Sequence, residues 1–211
     1  MKTTFWVALL LFALPLCADE KKPRKSTETD WTPLFDGKSL KGWTIPDFSL
    51  KGDVEVKNNQ IIIGMGDTLS GVLYDGDVPK SNYEISLDTM RLDGHDFFCG
   101  LTFPVGDVSV TLVVGGWGGA TVGISSIDGN DASENETTKY VSFDSNKWYR
   151  VRVRVTKEKI EAWLDDDKIV DVAIKGKTLS MRPGEIEKAQ PFSISTFRTK
   201  AALKDIRIRK L

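Results

Sequence analysis

The chain has 211 residues, 40% of them hydrophobic, which is enough to bury the core of one domain. Its 29 basic and 30 acidic residues leave a net charge of −1, so nothing attracts it electrostatically to nucleic acid or to an anionic membrane surface. We expect neither of these as a partner.

The N-terminus has the pattern of an export signal. A basic start, Met1-Lys2, precedes an apolar run at 5–16 that is too short to span a bilayer. Cleavage after Ala18 would make residues 1–18 a signal peptide. This predicts an exported chain, periplasmic or extracellular, with no membrane span in its mature form; an N-terminal membrane anchor is the alternative.

The remaining chain divides into a tether and one domain. Residues 19–30 are polar and charged without apolar periodicity, so we expect a disordered tether. Residues 31–211 contain no internal repeat and form a single predicted domain. Cys99 would be its sole cysteine, which excludes an intrachain disulfide, and its apolar neighbours predict a buried, unreactive thiol.

Short strands separated by turns fill this domain. Segments 83–88 and 148–155 alternate apolar and polar residues, and the second places three arginines on one face, where we expect acidic partners on neighbouring strands rather than an anion site. Segment 159–172 fits a helix or a hairpin, and its aspartate-rich turn favours the hairpin. With one helical turn expected at 184–190, the chain predicts an all-β sandwich of about a dozen strands.

Two segments depart from this pattern, and the first combines glycines with one tryptophan. Gly115-Gly116-Trp117-Gly118-Gly119 lets the backbone turn sharply and leaves Trp117 without bulky neighbours. An exposed aromatic ring suits the apolar face of a sugar. The alternative is a glycine-rich hairpin whose tryptophan packs in the core.

The second segment is an acidic loop. Asp128, Asp131, Glu134 and Glu136 fall within nine positions, which indicates a hard-cation site, a general base with its orienting partner, or simply a solvated loop. The spacing does not match an EF-hand. A divalent metal is therefore a possible cofactor that the sequence leaves undecided.

One histidine is present, His95, in a polar turn before a predicted strand. It is a candidate acid or base because it titrates near neutrality, and the adjacent Asp96 could orient its ring if the backbone turns there. A purely structural histidine is the alternative.

Both ends of the domain resemble one family. Segment 34–43 (LFDGKSLKGW) joins apolar anchors to two turns, and segment 203–209 (LKDIRIR) looks like a closing strand. Together they resemble the 3-keto-disaccharide hydrolase domain family over roughly residues 31–211. The resemblance implies a concanavalin/LamG-like jelly-roll β-sandwich that acts on sugars oxidised to a ketone at carbon 3.

The resemblance also implies a reaction. The ketone acidifies the hydrogen on carbon 2, a base removes it, the enolate expels the glycosidic oxygen, and water adds back to give net hydrolysis. This route needs a base, a cationic group at the enolate oxygen and an acid for the leaving group. The residues expected at the site divide into acid–base candidates, His95, Asp96, Asp128 and Glu134, and carbohydrate-binding candidates, Asp107, Trp117, Asp131, Asn135 and Arg198.

The chain departs from the family pattern at three polar positions. An asparagine-serine-glycine step is Phe98-Cys99-Gly100 here, a glutamine-x-histidine step near the C-terminus has Ser195-Thr196-Phe197-Arg198-Thr199 in its place, and a final asparagine before an isoleucine is Asp205. These changes predict either a site moved to region 94–136 or a protein that only binds carbohydrate. A non-catalytic, lectin-like module is therefore the alternative function, and a structural sandwich is a weaker third.

Overall fold

Two antiparallel β-sheets pack face to face in the computed structural model, which describes residues 30–211. Within that range one sheet has eight strands and the other has seven. The predicted signal peptide and nearly all of the predicted tether lie outside the described residues and stay predictions.

The eight-stranded sheet contains β1 Thr32–Pro33, β3 Val54–Lys57, β4 Gln60–Ile63, β6 Tyr83–Gly94, β11 Trp148–Val155, β12 Lys159–Leu164, β13 Asp167–Ala173 and β15 Thr199–Lys210. The seven-stranded sheet contains β2 Trp43–Thr44, β5 Leu69–Tyr74, β7 Cys99–Val105, β8 Val108–Gly116, β9 Thr121–Ser125, β10 Lys139–Tyr140 and β14 Ser193–Phe197.

The strand order brings distant parts of the chain together. The eight-stranded sheet runs β13-β12-β11-β6-β15-β4-β3, with β1 also paired to β15, and the seven-stranded sheet runs β10-β9-β8-β7-β14-β5-β2. Side chains alternate between the faces of each sheet, so one set meets in the core between the sheets and the other faces outward. The buried cluster between the sheets includes Cys99, whose pKa burial raises to about 12. The prediction of a buried, unreactive thiol agrees with this placement.

The two terminal motifs meet at one edge of the molecule. The indole nitrogen of Trp43 donates to the Leu34 carbonyl at 2.8 Å, and the Leu34 amide donates to the Ile206 carbonyl at 2.8 Å. The Trp43 ring also contacts Tyr74 and Phe192, with ring centres 5.1 and 5.8 Å away. The predicted edge segment is therefore anchored by its apolar residues against the closing strand.

The arginine-bearing strand β11 behaves as its alternation predicts. Its tyrosine and valines are buried between the sheets, and its arginines face outward towards acidic residues of β6. Arg154 donates to Glu84 at 2.5 Å, Arg152 donates to the same carboxylate at 3.3 Å, and Arg150 donates to Asp88 at 2.8 Å. The salt-bridged face is confirmed.

The ambiguous segment 159–172 is a hairpin of β12 and β13 that turns at Asp165-Asp166, as predicted. The helical turn expected at 184–190 is a 3-10 helix, Glu185–Ala189. The all-β sandwich prediction is confirmed, with fifteen strands in residues 30–211 because several two-residue strands add to the dozen expected.

Candidate functional site

A cleft of about 650 Å³ lies on the outer face of the seven-stranded sheet. It runs across four strands near the ends that they share on one side of the sheet. Val113 lies near the end of β8, Phe97 precedes β7, Phe197 ends β14 and Leu69 begins β5. These strands are neighbours in the order β8-β7-β14-β5. The sheet order therefore assembles the cleft from four segments that are far apart in sequence.

Apolar side chains form the floor of the cleft. The rings of Phe97 and Phe197 stack with their centres 6.0 Å apart and their planes 24° apart. Both pack against a second buried cluster that lies apart from the core between the sheets and comprises Phe48, Leu69, Met181, Ile186 and Ala189. Segment 181–189 thus covers part of the outer sheet face beside the cleft.

The glycine-rich turn forms one end of the cleft. Trp117 has a positive φ of 48° and stays 44% exposed, and the guanidinium of Arg182 lies 5.8 Å from the centre of its ring. Gly118 has a φ of 87° and Gly119 one of 109°, conformations that glycine adopts without strain. The glycines therefore present the ring to solvent, as the exposed alternative predicts.

Asp96 ties this turn to the sheet. One carboxylate oxygen accepts a hydrogen bond from the Phe97 amide at 2.8 Å, and the other accepts from the Gly118 amide at 3.3 Å. The Asp96 amide donates to the Thr199 hydroxyl at 3.1 Å. Asp96 lines the cleft next to Trp117, so a carboxylate and an aromatic ring adjoin at this end.

Arg182 adds a positive charge to the same end. One of its terminal nitrogens donates to the Asp131 carboxylate at 2.5 Å, and that carboxylate also accepts from the Ser125 hydroxyl at 2.6 Å. Arg182 and Ser125 line the cleft. Asp131 therefore acts by holding Arg182, and a guanidinium with five donors retains others for a ligand.

The opposite end of the cleft has polar groups that bind one another. Glu185 accepts hydrogen bonds from the Ser49 amide at 2.9 Å, the Ser49 hydroxyl at 2.7 Å and the Lys188 ammonium at 3.0 Å. The hydroxyl of Ser49, followed by Lys188, lowers the pKa of Glu185 to about 2. The Thr68 hydroxyl donates to the Ser49 carbonyl. Glu185 is consequently ionised at neutral pH.

Of the residues predicted from the sequence, the structure brings Asp96, Trp117 and, through Arg182, Asp131 to the cleft. Arg198 lies beside it, with its side chain exposed and donating to the Asp67 carbonyl at 2.8 Å. His95 is exposed and, among the described residues, neither lines the cleft nor hydrogen-bonds to Asp96. The expected imidazole–carboxylate pairing is therefore not formed.

The other predicted residues lie elsewhere. Asp128 accepts from the Thr178 amide at 2.7 Å, and Glu134 is exposed. Asn135 ties its loop to strand β9, donating to the Ile124 carbonyl at 2.7 Å. Asp107 pairs with Lys80 at 2.7 Å in the turn between β7 and β8, at the opposite end of those strands from Trp117. These residues do not converge with the cleft.

The acidic loop does not make a metal site in the described structure. Asp128 and Glu136 both pair with Lys177, at 3.6 and 2.6 Å, while Asp131 pairs with Arg182. Within residues 30–211 no group of three or more histidine, cysteine, aspartate or glutamate side chains is arranged to hold a metal ion. The donor set therefore does not fit the divalent ion considered from the sequence.

None of the helices in the described range is long and apolar enough to cross a membrane.

Several cleft residues escaped the sequence analysis. Arg182 and Glu185 lie in a segment whose sequence is typical of a loop between strands. Ser49 hydrogen-bonds to Glu185, which lies 136 positions further along the chain. Phe97 and Phe197 read as ordinary strand residues. Segment 195–199 carried a partial signal, because the resemblance to the family implies a polar step there that this chain lacks.

The family is established by a match to its model. Residues 30–209 match the model of the 3-keto-alpha-glucoside-1,2-lyase-like domain, which is most of the chain. The chain belongs to this family, and the resemblance of its terminal motifs is confirmed. A comparison with curated protein sequences finds no match.

Solved structures agree on the fold. The chain is similar to a Bacillus subtilis protein with a galectin-like fold, with a TM-score of 0.58 and 12% identity over 85% of this chain and 94% of that one. It is similar to a candidate glycosyl hydrolase from Parabacteroides distasonis, with a TM-score of 0.54 and 17% identity over 89% and 98%. The carbohydrate-binding module CBM66 from Bacillus subtilis gives a TM-score of 0.52 and 15% identity over 80% and 96%. The predicted jelly-roll sandwich is confirmed, and its architecture is one that carbohydrate-binding proteins use.

Proposed function

We propose that the protein is an exported carbohydrate-active domain that cleaves 3-keto-glycosides in the cleft. The observation that carries this is the meeting of Asp96, Trp117 and Arg182 at one end of the cleft. An aromatic face, a carboxylate and a guanidinium are what a sugar and its enolate need. Family membership supplies the reaction class, and the apolar run at 5–16 supports export to the periplasm or beyond.

The chemistry assigns one role to each group. Trp117 supports the sugar ring, and Asp96 removes the proton from carbon 2. Arg182 stabilises the negative charge that develops on the carbon 3 oxygen. The electron pair then forms the carbon 1–carbon 2 double bond as the glycosidic oxygen leaves. Water adds its hydroxyl to carbon 1, Asp96 returns a proton to carbon 2, and the remaining proton of the water converts the departed alkoxide into the free alcohol, which gives 3-keto-glucose and that alcohol.

Non-catalytic carbohydrate binding is the second candidate, and one observation favours it. Both oxygens of Asp96 already accept backbone hydrogen bonds, and Glu185 has a pKa lowered to about 2 by its bonds from Ser49 and Lys188. The cleft carboxylates are thus arranged as acceptors. A lectin-like protein would use them to receive sugar hydroxyl groups.

Incubation of the chain with 3-keto-trehalose tests the proposal. We expect chromatography to detect glucose and 3-keto-glucose, with turnover at least about 100-fold slower in Asp96→Asn, because a positioned base contributes that much. Asp107→Asn, which removes an exposed carboxylate remote from the cleft, is the matched control and should keep full activity.

Heavy water identifies the route. Elimination and hydration in D₂O place deuterium on carbon 2 of the product, whereas direct hydrolysis leaves hydrogen there; 3-keto-glucose incubated without protein corrects for exchange. Calorimetric binding of 3-keto-trehalose without product would establish the lectin-like alternative. Neither binding nor product would refute both.

A further inference from the structure

The cleft differs in chemistry from one end to the other. Its Trp117 end carries Asp96 and Arg182, while its Phe197 end has a floor of Leu69, Phe97 and Phe197. A sugar needs hydrogen-bonding partners around its whole edge, and at the Trp117 end the Arg182 guanidinium lies directly beside the aromatic ring. The Phe197 end therefore fits a different part of the ligand.

The length of the cleft leaves room for this second part. From β8, which leads into Trp117, to β5, which begins at Leu69, the cleft crosses β7 and β14. Three strand spacings amount to about 14 Å. A single pyranose ring on Trp117 does not cover that span, so the ligand group attached to carbon 1 extends over the Phe97–Phe197 stack.

The hydroxyl donors at the Phe197 end bond within the protein. The Ser49 hydroxyl donates to Glu185, the Thr68 hydroxyl donates to the Ser49 carbonyl, and one nitrogen of Arg198 donates to the Asp67 carbonyl. A second sugar would have the Glu185 carboxylate and the remaining nitrogens of Arg198 as partners. An apolar group needs no such partner and would cover the apolar floor of this end instead.

The carboxylic acids of the cleft agree with an apolar group at the Phe197 end. Among the described residues lining the cleft, the carboxylic acids are Asp96 and Glu185, and hydrogen bonds from Ser49 hold the pKa of Glu185 at about 2. Glu185 is therefore ionised, and Asp96 holds the proton that it returns to carbon 2 in the hydration step, so a leaving group that departs as a stable anion is favoured. A phenol, in which the oxygen is bonded directly to the aromatic ring, is acidic enough to leave as its anion without such help, unlike a sugar hydroxyl.

We propose that the preferred substrate is a 3-keto-glycoside of a planar, apolar phenol, with its sugar on Trp117 and its aromatic group on Leu69, Phe97 and Phe197. This rests on the proposed function for the sugar end alone. Phe197 is the specificity-determining residue, because its ring stacks on Phe97 and lines this end of the cleft.

Binding of three ligands to the whole chain tests this inference. We would titrate methyl α-glucoside, 1-naphthyl α-glucoside and free 1-naphthol by calorimetry, using unoxidised glycosides because they lack the ketone that permits turnover. The naphthyl glucoside should bind at least ten times more tightly than the methyl glucoside. Phe197→Ala should remove that advantage, while Trp117→Ala should weaken both glycosides.

The outcomes separate the two proposals. Equal affinities for the two glycosides, or no binding by any ligand, would overturn the aromatic-group inference. Binding of naphthol with no contribution from the sugar would support it while contradicting the proposed sugar site. Should Phe197→Ala fail to fold, the three-ligand comparison on the unaltered chain decides the matter.

Discussion

The strands of both sheets place alternate side chains on an outward face, but one outward face forms a salt-bridged surface and the other forms the cleft. On the eight-stranded sheet, the arginines of β11 find Glu84 and Asp88 on the adjacent strand β6. On the seven-stranded sheet, outward residues such as Thr111 and Phe197 meet groups from a distant covering segment, 181–189. Outward residues paired on adjacent strands build a stable surface, whereas outward residues completed by a distant segment build a cleft.

Two tryptophans illustrate the contrast. Trp163 lies on the charged face with the guanidinium of Arg152 only 3.8 Å from its ring centre, and Arg154 and Lys168 also lie over it. Within residues 30–211 Trp117 has one such neighbour, Arg182, at 5.8 Å, and it remains 44% exposed. The first ring is surrounded by its own protein, while the second keeps a face for a ligand.

The largest effect should follow from breaking the charged face. The Glu84 side chain is fully buried and accepts from Arg152, Arg154 and Arg209, so Glu84→Gln leaves the arginines without their shared charge. We expect a loss of about 3 kcal/mol in the free energy of unfolding, as when one partner of a buried ion pair is removed. Denaturant melts measure it, with exposed Glu158→Gln as control. A loss equal to the control would contradict the account.

A smaller effect is expected at Trp163. Trp163→Ala removes a ring that three cations cover, and we expect it to lower the free energy of unfolding by about 2 kcal/mol. Sugar affinity should not change, because Trp163 lies in β12 of the other sheet. Melts and calorimetric titration on the same variant check both expectations, and weaker sugar binding would place the ligand on the wrong face for our proposal.

The smallest effect concerns the pH dependence of the cleft. Bonds from Ser49 and Lys188 lower the pKa of Glu185 from 4.5 to about 2, so its stabilising contribution is full above pH 4.5 and disappears as the pH falls towards 2. Glu185→Gln should therefore flatten the fall in melting temperature across this window. Exposed Glu134→Gln should retain the wild-type slope. Identical dependence of the melting temperature on pH for Glu185→Gln and wild type would show that Glu185 does not stabilise segment 181–189.

The fold was predictable because its signals are local. Alternation in β11 and the turn at Asp165-Asp166 depend on residues close in sequence, and the structure reproduces both. The exposure of Trp117 was foreseen as one of two alternatives, because flanking glycines leave it no adjacent side chain to pack against. Such features need no knowledge of the tertiary arrangement.

The rest of the site depends on long-range packing. The acidic loop was predicted to contribute to the site, yet Asp128 pairs with Lys177, and Asn135 donates to backbone carbonyls of β9 and of its own loop. Arg182 and Phe197 reach the cleft only because the sheet order and the covering segment bring them there. The spacing of residues along the chain indicates neither the sheet order nor the position of the covering segment, so Arg182 and Phe197 could not be predicted as site residues from the sequence.

The most direct test of the central claim is calorimetric titration of 3-keto-trehalose into Trp117→Ala beside Tyr140→Ala. Tyr140 is 75% exposed and lies on edge strand β10 outside the cleft, so it controls for the loss of any surface aromatic ring. We predict that Trp117→Ala weakens binding at least tenfold while changing the free energy of unfolding by less than about 1 kcal/mol, and that Tyr140→Ala binds as the wild type does. Unchanged affinity in a well-folded Trp117→Ala variant would contradict the assignment of this cleft as the carbohydrate site.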